Sequence, residues 1–252
     1  MSRNKLIAAN WKMQKRIAEA EAFGTKLKSK LPALPSCDMV VFPPFFALPA
    51  LAAVLRDTRV ALGAQDVFWE KKGAFTGEVS GDMIRDAGGT WVIVGHSERR
   101  HVIGEGDEVV CNKLKAALEA GLMAVLCVGE QLEQREAGDA ESVVREQLDI
   151  ALRDVTAAQL STIVVAYEPV WAIGTGKTAT PNDAESMHHF IRGVVGERFG
   201  VEAADGLRVL YGGSVKPGNA ADLLARAEID GALIGGASLS VDSFVDIARA
   251  AG

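Results

Sequence analysis

A 252-residue chain that is 48% hydrophobic and 24% charged can bury a sizeable core, and its composition is that of a water-facing folded protein. A formal charge of −6, with lysines and arginines scattered rather than blocked, offers no basic stripe to nucleic-acid phosphates or to an anionic membrane. Three cysteines without a C-x-x-C pair argue against a disulfide framework or a zinc site, and the apolar run in MSRNKLIAANWKM is too brief for a signal peptide or a membrane span. The expectation is a cytoplasmic protein with reduced thiols, no nucleic-acid partner and no membrane partner.

In chain order, the first apolar run is LIAA at 6 to 9, read as a strand and followed by Asn10-Trp11-Lys12. Residues two apart on an extended chain point the same way, so Asn10 and Lys12 can share a face; a lone solvated lysine is the plain alternative. MVVF at 39 to 42 and VALGA at 60 to 64 read as the next strands. After them runs QDVFWEKKGAFTGE, long for a strand-to-helix connection, with Phe68, Trp69 and Phe75 that suggest a partner surface. WVIV at 91 to 94 is followed by Gly95-His96-Ser97-Glu98, where a helix start would disfavour the cationic form of His96. A histidine satisfied by backbone groups fits the same motif.

Helical spacing marks 112 to 121, then MAVLCV at 123 to 128 is a strand carrying Cys127, and 141 to 155 is again helical. TIVVAY at 162 to 167 leads into Glu168-Pro169, a carboxylate leaving an apolar strand. It is a candidate base whose pKa desolvation would raise, or else a salt-bridge partner at a rim. The following segment has a rigid proline, then apolar Val170, Trp171 and Ile173, then glycines and small residues, a design that suits a swinging cover or merely a long loop. After a helix at 184 to 200, LRVLY at 207 to 211 and GALI at 231 to 234 end in Gly212-Gly213-Ser214 and Gly235-Gly236. Paired glycines let backbone N–H groups approach an anion.

Eight nearly continuous, β-branched strand candidates alternate with helices at roughly thirty residues per unit, which predicts an α/β protein, a (β/α)8 barrel forming one domain over 1–252. A doubly wound open sheet is the competitor that periodicity leaves open. In such a barrel chemistry gathers beyond the C-terminal strand ends, where the residues above fall. Two nucleotide motifs near Gly176 fail. The P-loop lacks its first glycine, because Trp171 stands there, and the dinucleotide fingerprint Gly174-x-Gly176-x-x-Ala179 does not directly follow its strand. No histidine pair has the spacing of a helical metal site.

Together AANWKM, GAFTGE, VGHSERR, YEPVWAIGTGKTAT, YGGSV and GGASL, in this order over almost the whole chain, closely resemble the triosephosphate isomerase family. The resemblance implies a TIM barrel that interconverts dihydroxyacetone phosphate and D-glyceraldehyde 3-phosphate without a cofactor. It implies Glu168 as the base on carbon, His96 as the neutral electrophile at the carbonyl, Lys12 as positive charge for the enediolate and Asn10 as an orienting group, a pattern of acid–base tuning long associated with this family. It places the phosphate near N–H groups around Gly174, Ser214, Gly235 and Gly236. The lid would be Pro169, Val170, Trp171, Ala172, Ile173, Gly174, Thr175, Gly176, Lys177 and Thr178. It also implies a homodimer in which the loop carrying Phe75 and Thr76 reaches the neighbour's Asn10 and Lys12. Gln131 and Ser240 depart from the family, which more often has Thr and Lys there. The alternatives are a Schiff-base aldolase on the same scaffold, which would want a lysine where Glu168 ends its strand, or a nucleotide-binding module.

Overall fold

The computed structural model describes residues 3–173 and 179–252. Eight parallel strands, β1 (Leu6–Asn10), β2 (Asp38–Phe42), β3 (Val60–Ala64), β4 (Trp91–Val94), β5 (Met123–Val128), β6 (Ile163–Tyr167), β7 (Arg208–Tyr211) and β8 (Gly231–Ile234), pair each with the next. β8 closes on β1 through Leu6 to Gly231 and its successors, so the sheet is a barrel without edges and the open-sheet alternative is ruled out. Around it run α1 (Ile17–Lys30), α2 (Leu48–Leu55), α3 (Gly81–Asp86), α4 (Asp107–Glu119), α5 (Leu132–Glu136), α6 (Ala140–Ala151), α7 (Ala157–Leu160), α8 (Pro181–Phe199), α9 (Val201–Gly206), α10 (Pro217–Leu224) and α11 (Val241–Arg249).

Apart from Asn10, Asp38 and Arg208 at strand ends, the strands carry no strongly polar residue, because both their faces are covered. Leu6, Ala8, Val40, Phe42, Ile93, Val125, Cys127, Val164, Ala166, Leu210 and Leu233 fill the interior. The intervening residues, among them Ile7, Ala9, Val41, Val92, Val94, Leu126, Val165 and Val209, pack outward on the helices. This alternation positions the chemistry. Counting on by two from the interior rows brings Ala8 to Asn10, Ala166 to Glu168, Leu210 to Gly212 and Leu233 to Gly235 at the C-terminal mouth.

Helix ends follow local chemistry. Thr180 caps α8, its hydroxyl accepting from the Asp183 N–H at 3.1 Å while Asp183 returns a carboxylate to Thr180, and Pro181 takes the first helical position. Among the described residues no helix is long and apolar enough to cross a membrane. The long loop after β3 is stapled by its own aromatics: Phe68 stacks on Trp69 at 4.0 Å and meets Phe75 at 4.6 Å. Phe75 nevertheless remains 41% exposed.

Candidate active site

A cleft of about 560 Å³ opens at the C-terminal mouth, and it brings together Asn10, Lys12, His96, Glu168, Ile173, Ser214, Gly235 and Gly236. Five separate strand ends therefore contribute to one site, although the residues span most of the sequence.

Glu168 is 2% exposed and enters from the end of β6. Its Oε2 accepts the Ser97 N–H at 2.8 Å, and its Oε1 lies 3.0 Å from His96 Nε2. Two glycines make room for it. A Cβ on Gly212 would stand 2.8 Å from Glu168 Cγ, and one on Gly129 would collide with the Glu168 carbonyl oxygen. Burial pushes the Glu168 carboxyl up, but the His96 ring, the Ser97 N–H and Lys12 together hold it below the ordinary carboxylate value. This corrects the direction expected from the sequence. Desolvation is visible in an apolar strand; the partners that outweigh it come from other strands.

His96 follows Gly95, whose left-handed φ of 73° turns the chain out of β4. The backbone N–H of Glu98 donates to His96 Nδ1 at 3.2 Å. That bond leaves Nε2 as the protonated nitrogen of the neutral ring, facing the Glu168 carboxylate. Burial lowers the His96 pKa and the Glu168 carboxylate more than reverses this, so the ring lies above its ordinary value while the two are in contact. The helix-start effect anticipated from the sequence is present in the Glu98 N–H; the carboxylate opposing it was not legible there.

Lys12 has a left-handed φ of 52°, which costs a side-chain-bearing residue on the order of 1 kcal/mol or more. Neighbours hold it there. Its N–H donates to Asn10 Oδ1 at 3.0 Å, and its carbonyl accepts from Gln65 Nε2 at 2.8 Å. The ammonium reaches Glu98 Oε1 at 2.6 Å, a partner that the sequence reading missed because nothing in HSERR marks it as facing the first strand.

Ser214, Gly235 and Gly236 line the same cleft, and a Cβ on Gly235 would stand 3.3 Å from Lys12 Cε. Among the described residues the N–H groups of Ser214 and Gly235 donate to no backbone acceptor, which leaves them open to an anion. Ser238 turns back to bond the Gly235 carbonyl through its hydroxyl at 2.7 Å and its N–H at 2.9 Å, fixing the peptide after β8.

The first half of the expected cover, Pro169 to Ile173, makes one turn of 3-10 helix at Val170–Ala172, with Ala172 fully buried and Ile173 lining the cleft. Buried Glu130 anchors it by accepting Trp171 Nε1 at 2.8 Å and Tyr167 OH at 3.0 Å, while its carbonyl accepts the Val170 N–H at 3.1 Å. Arg135 lies 4.7 Å over the Trp171 ring. Gly174, Thr175, Gly176, Lys177 and Thr178 lie outside the described residues. Phe75 and Thr76 are exposed and do not line the cleft of their own chain. Cys127 sits in the interior layer, its thiol pushed well up by burial and by Glu168. Among the described residues no three His, Cys, Asp or Glu side chains converge in a metal-binding group.

The family model described as "Triosephosphate isomerase" matches residues 5–251. A protein named triosephosphate isomerase from Citrifermentans bemidjiense is 52% identical over 247 residues, 98% of each chain. One of the same name from Roseiflexus sp. is 52% identical over 245 residues, 97% of this chain and 96% of the relative. A third from Rhodopirellula baltica is 49% identical over 251 residues, 100% of this chain and 99% of the relative.

Proposed function

The chain belongs to the triosephosphate isomerase family and interconverts dihydroxyacetone phosphate and D-glyceraldehyde 3-phosphate, and from that premise we propose how its cleft divides the work. Glu168 takes a proton from the carbon beside the carbonyl, leaving an enediolate, and returns it to the neighbouring carbon. The Nε2–H of neutral His96 donates to the carbonyl oxygen as charge builds there, and the ring carries the hydroxyl proton between the two oxygens. Lys12 supplies positive charge and Asn10 orients the substrate. Ser214, Gly235, Gly236 and Gly174 offer backbone N–H groups to the phosphate, and the segment from Pro169 to Thr178 covers the site so that water does not reach the intermediate. Proton transfer of this kind needs no cofactor.

The observation that carries this assignment is the contact between Glu168 and His96 Nε2 at 3.0 Å inside a cleft with open N–H groups. Without substrate, base and electrophile satisfy each other. A substrate wedged between them takes over the His96 N–H and frees the carboxylate, whose burial then raises its basicity at the moment of use. Turnover of dihydroxyacetone phosphate in D2O tests the route: deuterium from solvent appears on the reacting carbon of product, and product free of deuterium under all conditions would exclude a carboxylate that exchanges its proton.

We also propose that residues 1–252 form one catalytic domain, that the enzyme is cytoplasmic, where its three buried thiols stay reduced, and that it works as a homodimer. Met13, directly after Lys12, is 95% exposed, and Phe46, Phe75, Val102 and Ile103 are exposed as well. A second cleft of about 310 Å³, lined in part by Met13, Phe45, Gln65, Glu78 and Arg99, supports the dimer reading as a seat for the partner's Phe75–Thr76 loop. Light scattering that finds a stable, fully active monomer would overturn the dimer.

A further inference from the structure

Among the described residues, three side chains of unlike consequence set the charge of the cleft: Lys12, Glu168 and Lys216. The Lys12 ammonium is matched at contact by Glu98 at 2.6 Å, so the pair presents little net charge to an incoming molecule. Glu168 is ionised and His96 neutral in the mechanism above. Without Lys216 a phosphate dianion would therefore approach a mouth of net negative charge, on a chain whose overall formal charge is −6.

Lys216 lies in the loop between β7 and α10, two residues after Ser214, and is exposed. Its root is fixed. Asn219 accepts the Lys216 N–H at 2.7 Å and donates to the Ser214 carbonyl at 3.0 Å, tying the lysine backbone to the Ser214–Val215 peptide. Its ammonium makes no ion pair or hydrogen bond among the described residues. A lysine on a pinned backbone, with its charge uncommitted, differs from the surface lysines that end in carboxylates, such as Lys26 on Asp242 at 2.7 Å.

We propose that Lys216 is the capture residue for the substrate's phosphate dianion: it draws doubly charged phosphate monoesters into the mouth and does not touch the reacting atoms. Its role belongs to encounter and binding, so it acts on kcat/KM and leaves the proton transfers to the groups already named. It goes beyond the assignment of Glu168 and His96, and it can fail while that assignment stands. One lysine facing a dianion across water is worth about a three- to fivefold change in association at low salt. The effect fades once the Debye length shrinks toward about 3 Å near 1 M salt.

The test is Lys216→Gln assayed with dihydroxyacetone phosphate at low and high ionic strength, and with uncharged D-glyceraldehyde as a control. For the phosphate substrate we expect kcat within about twofold of the parent, with kcat/KM about three- to fivefold lower at low salt and converging with the parent at high salt. Turnover of D-glyceraldehyde should be unchanged. A loss that is equal at all salt concentrations, a loss shared by D-glyceraldehyde, or no loss at low salt overturns the proposal. Activity of the unsubstituted enzyme on dihydroxyacetone phosphate, measured alongside, keeps this outcome separate from the isomerase assignment itself.

Discussion

Two carboxylates are buried at opposite ends of the barrel, each 2% exposed, and they are held in opposite ways. At the floor, where the strands begin, Asp230 accepts Arg192 Nη2 at 2.9 Å, Arg3 Nε at 2.6 Å and the Val209 N–H at 2.9 Å. Arg192 is equally committed, with further bonds to Glu228 and to the carbonyls of Ala204 and Leu207. At the mouth, Glu168 is held by one backbone N–H and a neutral imidazole, and among the described residues no guanidinium touches it. A carboxylate locked by permanent cations cannot act as a base, whereas one held by exchangeable partners can be released by a substrate. The difference lies in what surrounds the carboxylate, since each flanks an apolar strand, Glu168 directly after β6 and Asp230 directly before β8.

Substitution at each end should separate the two roles. Glu168→Gln keeps the volume and the buried position, so the fold should survive while kcat falls by about 10²- to 10⁴-fold, the usual worth of a positioned general base. Steady-state kinetics beside a thermal melt reads both, and near-normal turnover would remove Glu168 from the mechanism. Arg192→Met should do the reverse. It leaves Asp230 buried with too little positive charge and strips two carbonyls of their donor, a loss of about 3–5 kcal/mol in denaturant unfolding, while kcat per folded molecule is kept. A stable Arg192→Met protein with impaired turnover would show that floor and mouth are not independent.

A subtler change sharpens the contrast at the mouth alone. A methyl group at Gly212 would meet Glu168 Cγ at 2.8 Å and the Tyr167 carbonyl at 3.0 Å. The flexible carboxylate arm yields before the backbone does. Gly212→Ala should therefore displace the base and lower kcat by about 10²-fold, the cost of misplacing a reacting group by around 1 Å, with little effect on the melting temperature. A large loss of stability with intact kcat would assign Gly212 to the fold instead.

The eight strands were legible because burial on both faces leaves continuous apolar runs, and the order of the strands in a closed barrel follows from sequence order. Asn10 and Glu168 were legible as well, since each continues an inward row by two residues. The glycines after β7 were read as letting backbone N–H groups approach an anion; Gly212 makes room for the Glu168 side chain. Glu98 on Lys12, the Ser97 N–H on Glu168, and Glu130 beneath Trp171 were not legible. Each joins elements far apart in the chain, and such pairings are set by barrel closure rather than by any local pattern.

Two buried histidines carry the same contrast with the smallest expected effect. His96 at the mouth is raised by its carboxylate, whereas His188, buried in α8, is lowered to about 3, first by burial and then by the nearby Arg192 and Lys5 charges, with Glu228 opposing them. His188 lies close to Glu228 O, 3.2 Å from Nδ1, stands edge-on to Tyr167, and among the described residues finds no partner for Nε2. Because the unfolded chain takes up this proton near pH 6.5 and the folded protein does not until about pH 3, His188 supports stability fully above pH 6.5 and progressively less below it. The loss amounts to about 2 kcal/mol by pH 5. His188→Asn keeps an N–H for the Glu228 carbonyl and cannot titrate, so it should start from lower stability but lose about 2 kcal/mol less between pH 7 and pH 5. Urea unfolding at fixed protein concentration across that range measures the difference. Parallel profiles for the two proteins would mean that the acid response comes from groups other than His188.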